Sequence, residues 1–561
     1  MHLNGNFSGT NLQARFGEMA NGSAVNLSPP AGSTVLYGTS TATLQNGNLI
    51  YSIRPPCDSA TINPPSAYGN VMPFRYFELT NCPGPLTFTD VVQERLVTDF
   101  DTNAASFSSS SPALNQVWNL CRNSMEWLTF DGIYVDGDRE RTPYEADSYI
   151  HQLSSYAVNN DFTLPRCSFE YLLTHPTWPT EWKFHMIFVA WTDYLQTGNT
   201  DLLYKYYSAL QPDTFTWAAT GNGLMKGFPN FPQSTNSDIV DWPAGDRDGF
   251  VISSGSYLNW TNSVNNAFYY RSLQLMANIA ALTGHANDAA TYTAAAAQVY
   301  RAYQAAFWNN GSQCYVDGVG TAHASAHANF FPLAFGLVPA SNQVAVVNYL
   351  HSRIAANQGM PPSVYGAQYL LDALFQAGDA DTALGLMTTN GPRSWMNMIN
   401  LGSTLTDEAW SLADKSNEDW NHAWGAAAGN QIARHVLGLQ PLTAGFGQVL
   451  IQPQLGRTLA YLQGTIPTIR GPVSISVSNA PGQFQLLVNL PGNVTAIVML
   501  PAFGATNPVA LVDGELVSGT LANNWLTVTN IGSGQHAIWL NTNSVVSTTL
   551  LYNNWAAGCL A

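Results

Sequence analysis

"SSSSPALNQVWNLCRNSMEWL", residues 108–128, is where the chain changes character. Ser111 followed by Pro112 reads as an N-cap with proline at the first helical position, where its missing N–H costs nothing. Leu114, Val117, Trp118, Cys121, Met125 and Leu128 then recur at helical spacing. Strand patterns precede this point and helical patterns follow it.

Upstream, residues 1–105 are expected to form an N-terminal β-rich, sandwich-like domain. "TVLYG", "LIYSIRP", "FRYFELT" and "LTFTDVVQERLVTDF" are short apolar runs divided by Gly, Pro and Asn. Downstream, about a dozen helical patterns run to residue 438, from "SYIHQLSSYAV" to "WNHAWGAAAGNQIARHVLG", the stretch around "DEAWSL" among them. Gly198, Gly284, Gly378 and Gly438 close several of these. A dozen helices suggest six hairpins: an (α/α)6 barrel over 106–438, its connecting loops gathered round one mouth. From 439 to 561 strand patterns return, "SISVS" alternating strictly, which predicts a C-terminal β-sandwich. The expected fold class is therefore multidomain, a helical barrel flanked by two β-rich domains, as 561 residues require more than one core.

Only 10% of the residues are charged, and the net charge of −16 argues against nucleic acid or an anionic membrane surface as partner. No apolar run approaches the roughly 18–20 residues that span a bilayer. Six cysteines (Cys57, Cys82, Cys121, Cys167, Cys314, Cys559) contain no CxxC pair, so neither a zinc site nor a disulfide-dense scaffold is indicated. Cys57–Cys82 is the candidate disulfide, with free buried thiols the competing expectation. Low charge and sequons at Asn6, Asn21, Asn26, Asn259, Asn310 and Asn493 suit a secreted or periplasmic protein. "MHLNGNFSGTNLQ" lacks the basic and apolar regions of a signal peptide, so a leaderless form is expected. The many Trp and Tyr rings suit core packing and also sugar-binding clefts.

Against this sparse background, "DGIYVDGDRERTPYEADSY", residues 131–149, gathers Asp131, Asp136, Asp138, Arg139, Glu140, Arg141, Glu145 and Asp147. Buried charges must be paired, so the segment is either a salt-bridge network stapling a loop or a catalytic, substrate-orienting cluster. Glycoside hydrolysis needs two carboxyls flanking the anomeric carbon, one protonated and one ionised. This loop supplies one; the other must come from a distant segment at the same mouth. "NLGSTLTDEAWSL", residues 400–412, offers Glu408, with Trp410 beside it as shelter. An acid pair at a helix start also has a plain dipole explanation.

"DGDRERTPYEAD" resembles the acidic motif of the α-L-rhamnosidases of glycoside hydrolase family 78: an Asp, then Arg-acid-Arg, then an Asp seven positions after the acid. Glu140 and Asp147 keep that spacing. "GSTLTDEAW" is similar to a second family segment through Gly402, Thr404, Glu408 and Trp410. "SNEDWNHAWGAAAG" is similar to a third through Asn421, His422 and Gly425. "FRYFELTNCPGPLTFTDV" and "GTIPTIRGPVSISV" extend the likeness over roughly residues 70–541. One departure stands out: the family's first Asp precedes the acid by five residues, where this chain has Val135. Asp136 and Asp138 thus compete for its sugar-contacting role.

The resemblance implies an inverting exo-α-L-rhamnosidase that releases terminal non-reducing rhamnose from glycosides or oligosaccharides. It implies Glu140 as general acid, Glu408 as general base, and Asp136, Asp138, Arg139 and Asp147 as holders of sugar hydroxyls. The C6 methyl of rhamnose calls for an apolar wall, for which Trp182, Asp241 and Trp242 lie in candidate segments, with Trp410 beside the base. His185 and His422 are candidates to contact sugar hydroxyls or support Glu408. A flanking arginine lowers a carboxyl's pKa, so Arg139 and Arg141 are expected to point away from Glu140. His323 and His327 stand at i, i+4 without a third ligand, and neither metal nor cofactor is expected. Two rival readings remain: another inverting (α/α)6 glycosidase of glucoamylase or trehalase type, and a non-catalytic carbohydrate-binding homologue.

Overall fold

The computed structural model describes residues 1–56, 60–87, 89–228, 236–252, 261–480 and 483–541. The pivotal helix spans Pro112–Trp127, and the Ser111 hydroxyl accepts from the Leu114 N–H at 3.3 Å. It runs into a two-strand hairpin, Thr129–Phe130 with Ile133–Tyr134, turned by Asp131 and Gly132 at φ 51° and 79°. Asp-Gly suits such a turn because both central residues need positive φ. The hairpin delivers the chain to the charged loop.

The helices that follow sort into two kinds. Glu145–Val158 buries thirteen of its fourteen residues and Val364–Gln376 twelve of thirteen, as helices enclosed on all sides must. Ala286–Phe307 buries only Tyr292, Ala296, Val299, Tyr303 and Phe307, the single stripe of a helix with one face to solvent. These are the inner and outer members of a six-hairpin toroid. Gly198, Gly284, Gly378 and Gly438 sit at φ between 73° and 85°, the left-handed ends that glycine permits.

Two sheets follow the barrel. One holds five strands in the order Leu439–Pro441, Gln448–Ile451, Thr495–Pro501, Trp525–Ile531 and Thr520–Ala522. In the other, Val473–Ala480 turns Val473, Ile475 and Val477 inward and its serines outward. This seven-stranded sheet also takes in Ser106–Ser109, paired with Tyr461–Ile466. The strand leading into the first helix is thus bonded to the C-terminal sheet. Ahead of it, Tyr37–Thr43, Asn11–Gly17 and Tyr76–Thr80 form a three-stranded sheet, and His2–Gly5 pairs with Gly47–Ile50.

Two local expectations fail. Residues 91–100, in the apolar run after Leu86, form no strand. The "DEAWSL" stretch is irregular, and the helix lies just before it at Trp395–Leu401. Its backbone is diverted: Thr406 N–H donates to Ser124 Oγ at 2.8 Å and Glu408 N–H to the Asp419 carbonyl at 2.9 Å. Cys57, Cys559 and Asn259 lie outside the described residues, and the Cys82 thiol donates to the Gly84 carbonyl. Among the described residues, no helix is long and apolar enough to cross a membrane.

Candidate active site

The loops 136–144 and 402–422 meet edge to edge. Gly137 makes this possible, since a Cβ there would lie 2.6 Å from Asp419 Oδ2 and 2.7 Å from the Asn421 carbonyl. Ala423 N–H donates to the Asp136 carbonyl (2.9 Å), and Asp138 N–H to Asn421 Oδ1 (2.7 Å). Arg139 N–H reaches Asp419 Oδ2 at 3.3 Å.

The Arg139 guanidinium is the centre of the arrangement. Nη1 and Nη2 donate to the two oxygens of Glu408 at 3.1 and 3.3 Å, and Nη2 also donates to Glu140 Oε1 at 3.0 Å. Glu140 and Glu408, 268 residues apart in sequence, thus share one nitrogen. Their surroundings differ. The Glu140 side chain is 40% exposed and otherwise accepts from the Tyr144 hydroxyl at 2.7 Å. Glu408 is buried, and its Oε2 also accepts from Lys415 Nζ and Asp419 N–H, each at 3.0 Å. A carboxylate accepting at every oxygen, from two cations among others, matches what an ionised group requires. Burial opposes the charge on Arg139, but Glu408, Asp419 and Glu140 outweigh it and hold its pKa above the ordinary value.

The expected divergence of both arginines from Glu140 is half met. Arg141 turns away: its Nε donates to Asp138 Oδ1 at 2.9 Å and its guanidinium lies over the Phe130 ring at 4.5 Å. Arg139 does not, because the paired loops carry it between the two glutamates. Arg141 holds φ 49°, a conformation costing about 1–3 kcal/mol for a non-glycine residue, and these contacts offset it. Glu145 leaves the cluster altogether, accepting from Thr177 N–H and Oγ1.

Asp136 and Asp147 supply buried carboxyls on the inner side. Asp136 Oδ1 accepts from Thr142 N–H at 2.8 Å; burial first, then Asp147, Asp419 and Glu140, push its pKa well above the usual range. Burial and then Glu408 do the same to Asp147. Neither Asp147 oxygen has a hydrogen-bond partner among the described residues; His422 Nδ1 approaches to 3.5 Å without the required geometry. Burial, then Arg139 and Lys415, hold His422 well below its usual pKa, so its ring is neutral and leans on Trp424 at 4.3 Å. Trp182 closes the wall, edge-on to Tyr144 (5.4 Å) and Trp424 (6.0 Å).

Three expected sugar contacts are engaged elsewhere. His185 is enclosed: Nδ1 donates to the Trp182 carbonyl at 3.0 Å, Nε2 faces the Tyr369 hydroxyl, and burial pulls its pKa down to about 3. Asp241 is saturated by His327 Nε2 (2.6 Å), Ser363 N–H and Oγ, and Trp242 N–H. Trp410 is fully buried, its indole donating to the Pro362 carbonyl at 2.9 Å and its ring edge-on to Trp395. Each satisfies core polarity, the requirement a buried polar group meets before any other. Trp242 is half-buried on the core. His323 pairs with Asp317 and His327 with Asp241, and no group of three potential metal ligands occurs among the described residues.

Sequence reasoning missed Tyr144, Lys415, Asp419 and Glu18. Lys415 carried a signal, being one of four lysines in the chain. Glu18 carried none: it arrives from the N-terminal strands, where burial and then Asp138 push its pKa up to about 7 against the pull of its donors.

Residues 102–436 match the family model described as bacterial alpha-L-rhamnosidase 6 hairpin glycosidase domain, and residues 438–508 the bacterial alpha-L-rhamnosidase C-terminal domain. An Alpha-L-rhamnosidase of Alteromonas sp. (strain LOR) is 25% identical over 332 residues, covering 57% of this chain and 34% of that protein. One of Streptomyces avermitilis is 27% identical over 305 residues, 52% of this chain and 28% of the relative. The chain spans about a third of the length of these curated relatives. In fold, the chain is similar to the alpha-L-rhamnosidase of Dictyoglumus thermophilum (TM-score 0.78, 18% identity, 96% of this chain and 60% of that one). It is likewise similar to the Streptomyces avermitilis enzyme complexed with L-rhamnose (TM-score 0.74, 20% identity, 96% and 50%).

Proposed function

The chain belongs to the bacterial α-L-rhamnosidase six-hairpin glycosidases, and from that premise we propose that it is an inverting exo-α-L-rhamnosidase. The observation that carries the proposal is the meeting of Glu140 and Glu408 at one guanidinium, one carboxyl open and the other enclosed. Glu140, whose side chain is 40% exposed, is the general acid that protonates the glycosidic oxygen. Glu408, held by Arg139, Lys415 and Asp419 N–H, is the general base that draws a proton from water on the opposite sugar face.

Inverting hydrolysis leaves about 6.5–9.5 Å between the carboxyls to admit that water. A nitrogen 3.0 Å from Glu140 Oε1 and 3.3 Å from Glu408 Oε1 holds the nearest oxygens closer than this range, so Arg139 must yield one of its partners when sugar enters. Asp147, neither of whose oxygens has a partner among the described residues, and Asp136 are the hydroxyl acceptors; Asp138, spent on Arg141, holds the loop. Trp182, Tyr144 and Trp424 form the apolar wall for the C6 methyl. The exposure of Glu140 beside the buried Glu408 supports exo action. The substrate class is a rhamnose-terminated glycoside or oligosaccharide, and a secreted or periplasmic setting fits such substrates.

The test is hydrolysis of aryl α-L-rhamnosides beside aryl glucosides, with the first-formed anomer followed by proton NMR. The wild type is expected to release rhamnose as the β-anomer and to leave glucosides intact. Glu140→Gln and Glu408→Gln should each lose roughly 10²–10⁴-fold in kcat, the usual contribution of acid–base catalysis. Equal rates in all three proteins would sink the assignment, and glucose release would favour the glucoamylase-like reading.

A further inference from the structure

Glu18 follows the N-terminal strand Asn11–Gly17, yet it touches a loop four hundred residues away. Its carboxylate is divided between two donors: Leu36 N–H to Oε2 at 2.7 Å and Asn421 Nδ2 to Oε1 at 2.8 Å. The remaining amide atom of Asn421, Oδ1, accepts from Asp138 N–H at 2.7 Å. This polarity fixes the amide, since a flipped Asn421 would set oxygen against carboxylate and NH₂ against N–H. A directed chain therefore runs from the N-terminal sheet to the residue before Arg139, whose guanidinium joins Glu140 to Glu408. The same region braces both loops elsewhere. Thr34 Oγ1 donates to the Asn417 and Glu418 carbonyls at 3.0 and 3.1 Å, and Thr61 N–H donates to the Glu140 carbonyl at 2.9 Å.

The geometry points to Glu18 as a positioning residue: through Asn421 it sets the turn 137–139 and hence the guanidinium that spaces the two carboxylates. This rests on the reading of Glu140 and Glu408 as acid and base. A glutamine cannot replace it, because it would present NH₂ to Leu36 N–H or to the Asn421 amide, where each oxygen of the native side chain accepts.

Glu18→Gln is the test, with hydrogen–deuterium exchange measured alongside kinetics on an aryl α-L-rhamnoside. We expect kcat to fall about 10–100-fold, the scale of a small misplacement of catalytic groups, with KM within about threefold of wild type. Adding Asn421→Ala should cost no further activity, since both changes break one chain. Amides of residues 137–141 should exchange about tenfold faster, while those of strand Val473–Ala480 stay unchanged. A wild-type kcat in Glu18→Gln overturns the inference whatever the exchange shows, and so does unaltered exchange at 137–141. A wild type inert on rhamnosides would instead defeat the reading of the site; exchange at 137–141 then decides alone whether Glu18 holds the turn.

Discussion

Asp147 and Asp241 are both buried carboxyl groups of the barrel, and their hydrogen-bond partners differ. Asp241 is filled by four donors from the protein; Asp147 has none among the described residues. A buried acceptor without a donor costs about 1–3 kcal/mol, which a sugar hydroxyl would return on binding. Asp147→Asn is therefore expected to lower kcat/KM by about 10–100-fold, the scale of that hydrogen bond, while leaving the thermal midpoint unchanged or raised. A variant with full kcat/KM and a lowered midpoint would make Asp147 structural. The spacing of Asp147 from Glu140 was readable in sequence because both lie on one loop and the helix it opens. The difference between Asp147 and Asp241 was not readable, since it depends on Ser363 and His327 arriving from far along the chain.

At the scale of elements, the site is a contact between two loops that regular structure brings to one place. The first helix takes part directly: the buried Ser124 hydroxyl donates to the Leu120 carbonyl and accepts from Thr406 N–H, anchoring the Glu408 loop. Gly137 sets the closeness of approach. Gly137→Ala should force the loops apart at Asp419 and Asn421, reducing kcat at least tenfold with little loss of helical circular dichroism. Unchanged kcat would mean that the Arg139 bridge tolerates a wider gap. The start of the first helix, its glycine-ended successors and the alternating strand at 473–480 were legible because short-range rules govern them. The Glu408 loop misled because "TDEAW" has helical composition, while its N–H groups are claimed by Ser124 and Asp419. The run after Leu86 misled because apolar residues make a strand only where a neighbouring edge is free to pair.

Across the whole molecule, ionisable groups have been buried in two opposing sets. Between the N-terminal sheet and the 401–421 loop lies a cavity of about 450 Å³ lined by Glu18, Asp407 and Glu418. Burial, first among the causes, pushes these to about 7, 8 and 9 from ordinary values of 4.5, 3.8 and 4.5. Inside the barrel, burial pulls His151 and His185 down to about 3 from 6.5. The native state binds protons more tightly than the unfolded chain at the raised carboxyls. Their stabilisation is complete below about pH 4 and is lost as pH rises through 7 to 9. The neutral histidines act in reverse, their contribution complete above pH 6.5 and lost as pH falls toward 3. Stability should therefore peak between about pH 4.5 and 6.5 and decline toward pH 9. Thermal midpoints measured from pH 5 to 9 check this, and Asp407→Asn or Glu418→Gln should flatten the alkaline decline by removing a group that must ionise. If both variants lose stability with the wild-type slope, the decline originates elsewhere than at this interface.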